Sequence, residues 1–136
     1  MQHFTFPDTP IPKAYGPYSH AVVAGDLVFI SGQTGRDSQT GRVIDGDISV
    51  QTQRTIEIIN EILNKLNLSL SNIVKTTVYL KNIEDYSAMN IVYSAMLKQN
   101  YPARVIVQTD LPLGALIGME AIAYKKGIED SHNLNK

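Results

Sequence analysis

Between residues 49 and 67 the apolar positions repeat as they do on a helix. Ile56, Ile59, Leu63 and Leu66 are spaced by three and four, and Ile58 and Ile62 widen the stripe. Arg54, Glu57, Glu61 and Lys65 take the other side. Asp47 or Ser49 can cap the start, and Asn67 with Ser69-Leu70-Ser71-Asn72 ends the segment. Residues 73–80, rich in Val and Thr, predict a strand. A second helix is predicted over 84–99, with Asn82 as a cap and Tyr86, Met89, Tyr93, Met96 and Leu97 as its apolar face. Asn90 falls on that face by spacing. An amide left unpaired there costs ~1–3 kcal/mol, so it must bond a backbone group or line a polar pocket.

Elsewhere the period is that of strands. Residues 3–6 alternate weakly, as an edge strand would. Pro7, Pro10, Pro12 and Pro17 then punctuate a stiff loop. Residues 19–24 and 26–31 read as a hairpin about Gly25-Asp26, ended by Ser31-Gly32-Gln33, with a glycine-rich loop over 34–46. Their continuous apolar runs suggest burial on both faces, or one face in the core and one in a subunit contact. Pro102 biases Tyr101 toward extended backbone, and a strand is expected over 104–108. After the turn at 110–114, a last strand carries Ile117, Met119, Ala121 and Ala123 on one face. Gly118, Glu120, Ile122 and Tyr124 take the other. The order is α+β, with two helices covering one sheet face. The other face would be wet in a monomer, and a symmetric oligomer is the simplest cover.

A length of 136 residues predicts one domain, over 1–126, with a polar tail at 127–136 expected to fray. The net charge of −1 gives no footprint for nucleic acid or an anionic membrane. There is no cysteine, hence no thiolate nucleophile and no Cys-based metal site. No apolar run approaches the ~20 residues of a membrane span. The first residues do not read as a secretory signal, and a cytoplasmic protein is expected. His3 and His132 cannot form a metal site by spacing, and His20, beside Tyr18, is a lone histidine of the kind that is usually structural. Gly114 and Gly118 precede a strand, so they are not a phosphate loop.

Arg104 stands where a turn becomes a strand. A guanidinium there can reach into water, or present its planar fork to a carboxylate at a cleft mouth. Several stretches decide how to weigh this: Gly16-Pro17-Tyr18-Ser19, Ile30-Ser31-Gly32-Gln33, Val74-Lys75-Thr76-Thr77-Val78, Met89-Asn90-Ile91-Val92-Tyr93, Tyr101-Pro102-Ala103-Arg104, and Leu111-Pro112 followed by Glu120-Ala121-Ile122-Ala123. In this order and spacing they resemble the RidA family, also called YjgF/YER057c/UK114, over nearly the whole chain.

The resemblance implies a chorismate-mutase-like fold of the bacillus type, assembled as a homotrimer with ligand sites between subunits. It implies hydrolysis of reactive 2-imino or enamine acids to 2-keto acids and ammonia, with no metal or organic cofactor. By resemblance Arg104 anchors the substrate carboxylate, Tyr18 closes the cleft, Ser31 and Gly32 shape it, and Asn90 braces it. Backbone groups at Val105 and Ile106 contribute. Imine-hydrolysing members carry two acids two positions apart on the last strand, the first taken to position the attacking water. Here the first is Gly118, and Glu120 is kept. Glu120 lies ~6.5–7 Å along the strand from it, too far to substitute without a register change. The expectation is therefore weakened activity, or a larger substrate admitted by Gly118. The alternative is a non-catalytic module that binds keto acids. A nuclease role, attached to some members, sits poorly with the neutral charge.

Overall fold

A computed structural model of the chain describes residues 1–7 and 10–125. The tail expected to fray, 127–136, lies outside them. Six strands form one mixed sheet: β1 (Gln2–Phe4), β2 (Ala21–Ala24), β3 (Leu27–Thr34), β4 (Ile73–Leu80), β5 (Ala103–Gln108) and β6 (Ile117–Tyr124). Their order is β1-β2-β3-β6-β4-β5. Only β4 and β5 run parallel, joined by a crossover through a helix.

The two helices are α1 (Ile48–Lys65) and α2 (Tyr86–Leu97). Of the two expected caps, Asp47 serves α1: its side chain accepts the Val50 N–H at 3.1 Å. At the other end Asn67 takes the left-handed conformation (φ 61°). The Leu68 N–H reaches the Leu63 carbonyl and the Asn67 N–H reaches that of Asn64, which satisfies two carbonyls the helix leaves over. The predicted stripe is the buried one. Ile56, Ile58, Ile59, Ile62 and Leu63 have no exposed surface, and each stabilises the fold by ~1.5–3 kcal/mol through burial. They meet Val28 and Ile30 of β3 and Met119, Ala121 and Ala123 of β6 in one core.

Among the boundaries that differ from the expected ones, three do so for a clear local reason. β3 runs on to Thr34 rather than ending at Ser31, because the strand is bulged. Ile30 pairs with Ala121 and Gln33 with Met119, so Ser31 and Gly32 together stand opposite Glu120. The extra residue shifts the alternation: Val28, Ile30 and then Gln33 are buried. β2 starts at Ala21 because the two residues before it bond the bulge. His20 accepts the Ser31 N–H at 3.1 Å, and the Ser19 carbonyl accepts the Ser31 hydroxyl at 2.6 Å. α2 starts at Tyr86 because a 3-10 turn, Ile83–Asp85, precedes it, and Asn82 makes no side-chain cap bond there.

Both helices lie on one side. On the other, Phe29, Val105 and Val107 are 41%, 47% and 38% exposed, so apolar strand surface stands open. Among the described residues no helix is long and apolar enough to cross a membrane.

Candidate functional site

β5 is the sheet edge that carries Arg104. In the parallel register Arg104 pairs with Thr76, and the Thr76 hydroxyl bonds that of Tyr93 on α2 at 2.7 Å. Directly paired side chains share a face, so Arg104 lies on the helix side. There it is held from three directions. Its Nη1 donates to Asn90 Oδ1 at 2.7 Å, and its Nη2 donates to the Tyr86 hydroxyl at 3.0 Å. The Tyr93 ring lies under the guanidinium, 4.8 Å from centroid to carbon. Burial pushes the Tyr93 hydroxyl above the ordinary tyrosine range, against smaller lowering effects of Thr76 and Arg104, so it stays a phenol. Among the described residues Arg104 has no carboxylate partner, since the one ion pair there joins Arg54 and Glu57. A cavity of about 490 Å³ opens over Asn90, Ser94, Tyr101 and Arg104.

The other site residues lie elsewhere. Ser31 and Glu120 border a cavity of about 370 Å³ on the open face, with Lys75 and Thr77. Glu120 accepts the Tyr79 hydroxyl at 3.1 Å. Desolvation first, and then Glu120, raises the Tyr79 hydroxyl above its ordinary value, which keeps the donor proton in place. A neighbouring cavity of about 310 Å³ is bordered by Tyr18, Gly32, Gly118 and Thr109. Tyr18 packs edge-on to Tyr15 and to His20, with centroids 5.8 and 6.4 Å apart. Gly32 has nothing within 4 Å of where a Cβ would stand. At Gly118 a Cβ would meet Leu111 Cδ2 at 3.1 Å, so the room expected there is partly filled by Leu111. Val105 points to the open face with its pair Thr77, and Ile106 points to the core with Val78.

One chain therefore brings together Arg104 and Asn90, and separately Tyr18, Ser31, Gly32, Gly118 and Glu120. It does not join the two groups. Three strand spacings, ~14 Å, separate β3 from β5, and the groups face opposite sides of the sheet. Tyr86 and Tyr93 were legible only as helix core, and their grip on Arg104 could not be read from spacing. His20 is structural: fully buried, its Nδ1 accepts the Phe6 N–H and its Nε2 donates to the Pro12 carbonyl, both at 2.9 Å. Both ring nitrogens are used: Nδ1 as acceptor, which leaves Nε2 as the donor. Among the described residues no group of three or more His, Asp or Glu side chains is placed to hold a metal ion.

The chain is 48% identical over 116 residues to a RutC family protein of Pyrococcus abyssi, covering 85% of this chain and 91% of that one. It is 38% identical over 115 residues to the human 2-iminobutanoate/2-iminopropanoate deaminase, covering 84% of each. Among solved structures, RidA of Psychrobacter sp. superposes with a TM-score of 0.83 at 37% identity, over 88% of this chain and 98% of that one. Escherichia coli TdcF with bound serine gives 0.82 at 32%, over 90% and 98%. The family described as endoribonuclease L-PSP matches residues 9–125. On these grounds the chain belongs to that family, the RidA (YjgF) family whose motifs its sequence carries.

Proposed function

We propose that the protein hydrolyses small 2-imino or enamine acids to 2-keto acids and ammonia, in the cytoplasm and without a cofactor. The observation that carries this reading is the state of Arg104. Its guanidinium is fixed by two neutral acceptors and an aromatic face, and it lacks a carboxylate of its own. A substrate carboxylate completes that set with charge-assisted bonds and sets the orientation of the adjacent C=N carbon. The relatives named as imine deaminases support the same chemistry.

The second group of residues would come from a neighbouring copy, in a trimer whose open sheet faces are covered. This supplies what a single chain lacks. Glu120 would accept a proton from water as the water attacks the imine carbon. The nitrogen, protonated, leaves as ammonia while the new C–O bond becomes the ketone. The geometry favours Glu120 over position 118 for this task. Glu120 shares a cavity with Ser31 and is oriented by Tyr79, whereas position 118 faces Leu111. On this reading Gly118 does not by itself disable the site.

The test is ammonia release from freshly generated 2-iminobutanoate. Wild type should turn over, and Arg104→Ala should lose about 10²-fold or more. Equal rates would remove the anchor. Saturable binding of 2-oxobutanoate with no ammonia released would favour the non-catalytic keto-acid module instead.

A further inference from the structure

Arg36 is a second guanidinium with no carboxylate partner among the described residues, and it is buried. Only 5% of the residue is exposed. Its Nε donates to the Gly41 carbonyl at 2.9 Å and its Nη2 to the Lys13 carbonyl at 3.1 Å. The Tyr15 ring lies under it, 4.5 Å from centroid to carbon. Nη1 has no hydrogen-bond partner among the described residues, and it is not one of the fully enclosed polar atoms, so it keeps some accessible surface. The neighbouring carboxylate is occupied elsewhere. Asp37 accepts the Gln39 and Thr40 N–H groups at 2.9 and 2.8 Å, and these bonds hold it below the usual carboxylate range. Arg42 borders a cavity together with Arg36, and Arg54 donates to the Arg36 carbonyl, so the surroundings are cationic.

A buried charge with only neutral partners is expensive, and buried charges are as a rule paired, which leaves a role here for an anion from outside the chain. Arg36 lines the same 310 Å³ cavity as Tyr18, Gly32 and Gly118, and none of the described residues lining it is acidic. That cavity and the one holding Ser31 and Glu120 flank the bulge, where Ser31 borders one and its neighbour Gly32 the other. On the reading proposed here, a ligand reacting beside Glu120 would extend past the bulge toward Arg36.

We propose that Arg36 receives the distal anionic group of the substrate, and that the preferred class is a short-chain 2-imino dicarboxylate, with its 2-keto diacid as product. This rests on the reading of Arg104 given above. Arg104 holds the carboxylate next to the reacting carbon, and Arg36 holds the one at the far end.

Calorimetric titration with 2-oxoglutarate and with 2-oxobutanoate tests it. Wild type should bind the diacid at least ~10-fold more tightly, the range of one charge-assisted contact. Arg36→Met should abolish that preference and leave the monoacid unchanged. Arg36→Lys, which keeps the charge in case the first variant does not fold, should keep part of the preference. Arg104→Ala should weaken both acids. A wild type that binds the monoacid with no preference for the diacid overturns the role of Arg36 alone. So does an Arg36→Met that only lowers Tm and leaves the preference intact, because the arginine would then merely tie two loop carbonyls. Failure of both acids to bind overturns this inference and the parent reading together.

Discussion

Arg104 and Asn90 are joined by a 2.7 Å bond in which the amide oxygen accepts from the guanidinium, without any charge to neutralise it. A carboxylate at position 90 would hold the arginine as firmly and would also occupy it. Asn90→Ala should lower kcat/KM about 10-fold, the worth of one bond to a charged donor. Asn90→Asp, although it keeps an acceptor, should be worse, with KM raised most, because its charge competes with the substrate carboxylate. Steady-state kinetics of the two variants decide this. An Asn90→Asp enzyme that equals wild type would show that Arg104 binds no anion.

Glu120→Gln keeps the bulk and an acceptor for Tyr79 but loses the base. Its kcat should fall by ~10²–10⁴-fold with little change in Tm. Introducing Glu at Gly118 should not restore it, because that carboxylate would start ~6.5–7 Å along the strand from the one lost. Recovery of activity in a Gly118→Glu, Glu120→Gln double variant would reassign the water to position 118.

Tyr93 is a buried phenol whose titration is pushed above the usual value of 10.0. The folded chain then holds this proton more tightly than the unfolded one. The resulting stability is complete below about pH 10 and fades as pH rises beyond it toward the raised folded value. Tm measured from pH 8 to pH 11.5 should fall at the alkaline end. Tyr93→Phe should flatten that fall. It should also cost ~1–3 kcal/mol at neutral pH, because the Thr76 hydroxyl, only 1% exposed at its residue, loses its partner. An alkaline slope unchanged in Tyr93→Phe would assign the loss to other groups.

His20→Ala removes both partners of an enclosed pair, the Phe6 N–H and the Pro12 carbonyl. The expected loss is on the order of 3 kcal/mol, a Tm drop of roughly 10 °C. The rate per folded molecule should be preserved below the new Tm. A catalytic role would appear as the reverse, with stability kept and rate lost.

What the chain disclosed about itself follows the range of the interactions involved. The α1 stripe is a local pattern, and its inward face is the one the spacing marks. β4 begins and ends where its Val and Thr run does, and the faces of β6 are those its alternation assigns. The bulge was hidden because an inserted residue breaks the very alternation that signals a strand, so Ser31-Gly32 reads as an end. The start of α2 was hidden because a 3-10 turn continues its composition. In the site, Asn90 could be suspected as an amide on an apolar face. That its partner is Arg104, 14 positions on, needs the parallel pairing of β4 and β5. The space beside Gly118 belongs to Leu111, from a turn that no spacing rule connects to it. Arg36 drew no notice, since a loop arginine looks solvated until the loop is seen folded over it.

The placement of Arg104 on one side of the sheet and of Ser31 and Glu120 on the other gives dilution a meaning for this protein. An isolated chain holds these two groups on opposite faces, at a separation no side-chain rotation can bridge. If catalysis needs both groups, as proposed above, concentration becomes a control element: a newly made or dissociated chain would be chemically silent until it met its partners.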